Sequence, residues 1–301
     1  MERKWWTLIG VCVATFMLLV DVTIVNVALP SIQRDLGASL TSLQWVVDAY
    51  ALMLSALMLT AGSLADRLGR RRVFELGVLV FTVASLLCGL STSSTFLNLA
   101  RGLQGIGGAA MFATSLALIA QEFRGREFGT AIAAWGSTVG AAVAVGPLIG
   151  GALTEGLGWQ WIFFVNVPVG AIALALALLR MREYHDPDSR GIDFGGLVTS
   201  SAALFLLIFG LLRGNAEGWS STVIVASLAG AAVLFAVFVA IERSQERPML
   251  ELSLFRRPAF VGVSLGTVAI GAGMFAMFFY LSLYLQDILG YSPLKAGLRF
   301  L

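Results

Sequence analysis

Long apolar runs alternate with short polar segments along the whole chain. The runs fall at roughly 6–29, 43–64, 73–92, 96–120, 129–153, 161–180, 194–212, 220–241 and 259–285. Each is about as long as the ~20 residues that carry an α-helix across a ~30 Å hydrocarbon core. Strands of a membrane barrel would alternate apolar and polar positions over about ten residues, so the continuous runs predict nine helices and an all-α integral membrane fold. A tenth apolar segment starts near Ser292 and runs to Leu301. Met1-Glu2-Arg3-Lys4 followed by an apolar run has the form of a secretory signal. That run is too long, contains Asp21 and shows no small-residue cleavage site, so it is expected to remain as the first helix.

The polar segments set an orientation. Fifteen Lys and Arg residues lie on one side of the nine-helix arrangement: Arg3 and Lys4, Arg67 and Arg70 to Arg72, Arg124 and Arg126, Arg180, Arg182 and Arg190, and Arg243, Arg247, Arg256 and Arg257. The opposite loops hold Arg34 and Arg213. Basic loops stay cytoplasmic, which predicts a multi-pass protein of the inner or plasma membrane with a cytoplasmic amino terminus. The longest polar stretches, 181–193 and 242–258, divide the chain into a six-helix bundle at 1–182, a loop and two-helix hairpin at 183–258, and a ninth helix with a partial next one at 259–301.

Composition narrows the function. Of the 301 residues, 58% are hydrophobic and 13% charged, with a mean hydropathy of +0.86. A soluble domain carries about 25% charged residues, so a soluble enzyme is excluded. The net charge of +2 is explained by the basic loops, and no nucleic-acid partner is expected. Cys12 and Cys88 sit in apolar runs and the single histidine, His185, in a polar loop, so neither a metal nor another cofactor is expected.

Charges inside the apolar runs carry the chemistry. Asp21 lies nine residues before Pro30, about 13 Å inside the first helix at ~1.5 Å per residue. An aspartate there costs about 2.5 kcal/mol or more unless it faces a cavity, finds a partner or takes up a proton. Proton or cation handling and a structural bond across the bundle are the two readings. Arg101 and Gln104 enter the fourth helix from the same side, at about 8 Å and 12 Å, and so share the layer of Asp21. An arginine beside a carboxylate makes a workable proton switch; a snorkelling arginine is the alternative. Asp48, Asn26 and Trp135 are candidate cavity residues, with an interfacial role for Asp48 and packing for Trp135 as the plainer readings.

Two further segments stand out. Gly62-Ser63-Leu64-Ala65-Asp66-Arg67-Leu68-Gly69-Arg70-Arg71-Arg72 joins helices two and three. Asp66 is expected to accept from the amides at the start of helix three, and Gly69 to allow the tight turn, making a charged clasp that can gate. In helix five, Gly146, Gly150 and Gly151 around Pro147 are expected to let a neighbouring backbone approach and seal the outer half. Six tryptophans near span ends, Trp159 among them, read as an interfacial belt.

Together these segments resemble the major facilitator superfamily, in its fourteen-helix drug:proton antiporter branch. Asp21-Val22-Thr23-Ile24-Val25-Asn26-Val27-Ala28-Leu29-Pro30 is similar to the branch's first-helix motif, and Gly62 to Arg72 to the superfamily's loop motif. Arg101-Gly102-Leu103-Gln104-Gly105 resembles the fourth-helix motif, and Gly146-Pro147-Leu148-Ile149-Gly150-Gly151 the antiporter motif, with Ala142 where that motif often begins with glycine. Trp159 to Gly170 and Tyr284 to Gly297 are similar to further segments of the branch. The resemblance implies proton-coupled efflux of drug-like molecules by alternating access, powered by the proton gradient. It places Asp21, Arg101 and Gln104 in proton coupling, Gly62, Asp66, Arg67, Gly69 and Arg70 in gating, and Gly146, Pro147, Gly150 and Gly151 in sealing. It implies two six-helix bundles around a midplane cavity, five helices of the second falling after residue 285. The rival expectation is therefore a truncated, non-transporting membrane protein that needs its missing carboxy-terminal half.

Overall fold

In the computed structural model, residues 2–183, 193–245, 250–291 and 299 are described. His185, Arg190, Arg247, Lys295 and the segment beginning at Ser292 lie outside the described residues, except for Arg299. Ten α-helices follow in order: α1 Arg3–Leu36, α2 Leu40–Leu68, α3 Arg70–Gly89, α4 Ser94–Glu122, α5 Gly125–Gly156, α6 Trp161–Phe164, α7 Asn166–Arg180, α8 Phe194–Glu217, α9 Thr222–Ser244 and α10 Pro258–Leu283. With α6 and α7 taken together as one span, eight spans before α10 are long and apolar enough to cross a membrane. No strand occurs among the described residues.

The ends of the helices follow their local sequence. Ser39 accepts from the amide of Ser42 at 3.2 Å, Ser93 from Phe96 at 3.3 Å and Asp193 from Gly196 at 2.8 Å, each satisfying an orphan amide at the start of a helix. Gly69, at φ 107°, makes the reversal between α2 and α3 that a residue with a Cβ rarely adopts.

One boundary differs from the sequence expectation. The first helix does not end before Pro30 but continues to Leu36. Pro30 and Asn26, whose carbonyl loses its partner to the ring, both lie on the exposed side, while Ile32 beyond them is buried. Burial of the far end therefore outweighs the one lost bond. The sixth span covers Trp161–Arg180, as expected, with α6 and α7 meeting at Val165, which keeps helical angles of φ −61° and ψ −26°. Pro168 has no amide to offer the carbonyl of Phe164, which weakens the helix at that turn.

The bundle is built on α1, which packs against α5, α7 and α4, while α4 packs against α2 and α3. Glycines permit the close crossings. A Cβ on Gly107 would lie 2.5 Å from the amide nitrogen of Phe81 on α3, and one on Gly105 2.5 Å from the carbonyl of Tyr50 on α2. One core cluster gathers around the first half of α1, from Leu8 to Leu18, and a second around Val20 to Ile32. Asp21 stands just past their boundary. The α8–α9 hairpin leans on α2, and α10 makes its main contacts with its own flanking turns.

Candidate functional site

Asp21 and Arg101 form a fully buried ion pair: their side chains are 0% and 1% exposed, and Arg101 Nη1 donates to Asp21 Oδ2 at 2.5 Å. The pair joins α1 to α4. Gln104, one turn beyond Arg101, donates from Nε2 to Asp21 Oδ1 at 2.8 Å and accepts from Arg101 Nη1 on its own Oε1 at 2.6 Å. Asp21 thus meets the two partners the sequence placed in its layer. Its distance from the end of α1 is larger than expected, fifteen residues or about 22 Å at ~1.5 Å per residue, because that helix passes through Pro30.

Other groups complete the site. Asn166, the first residue of α7, donates to Asp21 Oδ1 at 2.9 Å and to Ser85 Oγ at 3.0 Å. Ser85, on α3, also accepts from Gln104 Nε2 at 2.6 Å. Cys88 Sγ donates to Gln104 Oε1 at 3.6 Å. Arg101 Nε donates to the carbonyl of Val46 at 2.9 Å, and its guanidinium lies 4.2 Å from the centroid of the Tyr50 ring. A buried ion pair survives only when its remaining donors and acceptors are satisfied, and here they are shared among five helices. Neither Asn166 nor Ser85 is singled out by the sequence pattern. The signal for Asn166 was a lone amide between Val165 and Val167, two residues before Pro168; Ser85 carried none.

The loop between α2 and α3 is wired differently from expectation. Asp66 accepts from Arg70 side-chain nitrogens at 3.0 and 2.8 Å, and the amides that open α3 belong to another acid. Glu183, just after α7, accepts from the backbone nitrogens of Arg71 and Arg72, each at 3.1 Å. In return, Arg71 donates to the carbonyls of Leu178 and Met181, and Arg3 to those of Arg180 and Met181. A carboxylate at the start of one helix and guanidiniums at the end of the other both complement the helix dipoles. Gly62 and Asp66 line a groove of ≈ 600 Å³ with Phe112 and Leu204.

Of the antiporter-motif glycines, Gly146 faces Thr23 in direct contact and Gly150 faces Ile24, both on α1, with Pro147 between them. Gly151 has no heavy atom within 4 Å of the place a Cβ would take, so it does not contribute to that approach. The three candidate cavity residues do not share a site. Asn26 is exposed and donates to the carbonyl of Val22 at 3.2 Å. Asp48 lines a cavity of ≈ 330 Å³ with Gln44, Leu212, Asn215 and Ala216. Trp135 packs on Phe112 and donates to Thr15 Oγ1 at 3.2 Å. Trp159 is at a span end as expected but packed inside the protein: it is 1% exposed and donates to Asp35 Oδ2 at 2.9 Å, fastening the loop before α6 to the end of α1.

Comparison with known proteins places this arrangement. The chain is 38% identical over 303 residues to the tetracenomycin C resistance and export protein of Streptomyces glaucescens, covering 99% of this chain and 56% of that protein. It is 37% identical over 299 residues to the methylenomycin A resistance protein of Bacillus subtilis, covering 98% of this chain and 63% of that protein. The chain therefore spans less than two thirds of the length of these relatives. The crystal structure of the POT family transporter PepTSo shares the fold, with a TM-score of 0.58 at 15% identity over 79% of this chain and 52% of that one. The profile of the Major Facilitator Superfamily matches residues 11–301. The protein is a multi-pass membrane protein, and it belongs to the Major Facilitator Superfamily.

Proposed function

We propose that this protein exports small organic molecules across the cell membrane in exchange for protons, by alternating access, with Asp21 as the proton-carrying group. The observation that supports this most is the buried Asp21–Arg101 pair, a charged couple held in the middle of a membrane bundle at a cost only partners offset. When Asp21 takes up a proton, Arg101 loses its counter-ion and falls back on the carbonyl of Val46, Gln104 Oε1 and the Tyr50 ring. The α1–α4 contact thus differs between the two charge states, and a ligand or proton that favours one biases the bundle toward it. The Asp66–Arg70 pair serves as the gating clasp, and the Gly146 and Gly150 contact between α5 and α1 as the seal.

The names of the relatives support antibiotic-like substrates. Cytoplasmic placement of the amino terminus is supported by the gathering of Arg3, Lys4, Arg71 and Arg180 at one end of the bundle, through the Arg3 bond to Arg180 and the Lys4–Glu127 pair. The test is expression in an efflux-deficient bacterium, with cellular accumulation of tetracenomycin C and methylenomycin A as the readout. Because the relatives are longer, the chain is tested alone and with the remaining helices of the Streptomyces protein supplied in trans. Lower accumulation, abolished by a protonophore and by Asp21→Asn, is expected in one of the two arms. Unchanged accumulation in both overturns the proposal.

A further inference from the structure

Two side-chain amides meet on a single oxygen of Asp21. Gln104 Nε2 reaches Oδ1 at 2.8 Å and Asn166 Nδ2 at 2.9 Å, and both nitrogens also reach Ser85 Oγ. Ser85 thereby holds the two amides against the same carboxylate oxygen. The amides differ in what they are attached to. Gln104 lies inside the continuous helix α4, one turn from Arg101. Asn166 opens α7 directly after Val165, where Pro168 leaves the carbonyl of Phe164 without its helical partner. A bond to the carboxylate is thus attached to the turn of the sixth span that lacks this bond.

We propose that Asn166 is a positioning residue for Asp21 and ties the charge of that carboxylate to the geometry of the α6–α7 junction. The inference rests on the proton-carrying role of Asp21 proposed above. A hydrogen bond to a charged carboxylate is shorter and stronger than one to its neutral acid. The Asn166 amide therefore grips Asp21 while it is ionised and loosens when a proton binds one of its oxygens. Loosening frees the start of α7, where the helical hydrogen bond that Pro168 cannot give is missing. The other titratable or charged groups near the carboxylate are Arg101 on α4, Tyr50 on α2, beneath the guanidinium, and Cys88 on α3, bonded to Gln104. α5 carries no charged residue between Phe128 and Thr154, and α6–α7 none between Trp161 and Leu179.

The experiment uses the chain reconstituted in lipid bilayers. Infrared difference spectra over pH follow the protonated carboxyl of Asp21, assigned as the band that Asp21→Asn removes. Amide hydrogen exchange of the stretch from Phe164 to Val169, expressed relative to the intrinsic rate at each pH, is measured in the same samples. In the unaltered protein, exchange is expected to rise as pH falls through the Asp21 midpoint. Asn166→Ala is expected to move that midpoint upward by about one pH unit, a tenfold gain in proton affinity, because the ionised form loses a donor. It is also expected to leave exchange fast on both sides of the midpoint. An unmoved midpoint, or exchange that still follows pH, overturns the inference. Absence of any band that Asp21→Asn removes overturns instead the proton-carrying role on which it rests. Should Asn166→Ala fail to fold, Ser85→Ala frees both amides and is expected to raise the midpoint in the same direction, with an unmoved midpoint again overturning the inference.

Discussion

Arg101 supplies its nitrogens to three helices at once: Nη1 to Asp21 on α1 and Gln104 on its own α4, and Nε to the carbonyl of Val46 on α2. Arg101→Ala leaves the Asp21 carboxylate buried beside uncharged donors, and removing one partner of such a pair costs about 3–5 kcal/mol. The loss is expected as a lowered thermal unfolding midpoint in detergent, and Asp21→Asn in the same chain is expected to recover part of it. Simple additivity of the two substitutions would show that the pair is not energetically coupled. Arg101→Lys keeps the charge but not the planar fork, and is expected to recover little. These charged partners were legible in the sequence because a charge in an apolar run costs energy unless something nearby explains it. Asn166 and Ser85 were not, because a neutral polar side chain in a helix can bond its own backbone, as Thr82 does with Val78 and Ser115 with Met111, and so marks no site by itself.

At the scale of elements, the positions of the spans follow from apolar length, while their ends depend on tertiary contacts the sequence does not announce. Ile32 and the Trp159–Asp35 bond hold the far end of α1 past a proline that would otherwise be read as its stop. The assignment of the α3 amides to Asp66 failed for a related reason. Asp66 is near in sequence and pairs with Arg70 one turn away, whereas Glu183 lies 112 residues from Arg71 and reaches the amides from the end of α7. Glu183→Ala is expected to cost about 0.5–2 kcal/mol, the usual value of a lost helix cap, and to speed amide exchange at Arg71 and Arg72. Asp66→Asn is expected to leave that exchange near its original rate, since Asp66 is half-exposed and pairs with an arginine only four residues away. Faster exchange from Asp66→Asn than from Glu183→Ala would reverse the assignment.

Across the whole molecule, the hairpin of α8 and α9 is fastened to the bundle along α2. Thr60 and Ser201 hydroxyls meet at 2.5 Å, and near the other end Arg213 lies 5.4 Å from the Trp45 ring and donates to Gln44. With Cys12 and Cys88 replaced by alanine, Thr60→Cys and Ser201→Cys are expected to cross-link readily under mild oxidation, seen as a mobility shift reversed by reductant; no cross-link would contradict the docking of α8 on α2. That docking brings the hairpin beside the same bundle that carries the Asp21 site. Proton movement tests the proposed role of that site most directly. In everted membrane vesicles, with the longer relative's remaining helices supplied as above, addition of tetracenomycin C or methylenomycin A is expected to drive a proton flux that Asp21→Asn abolishes; a substrate-driven flux of full size in the Asp21→Asn protein would contradict the assignment of Asp21 as the proton carrier.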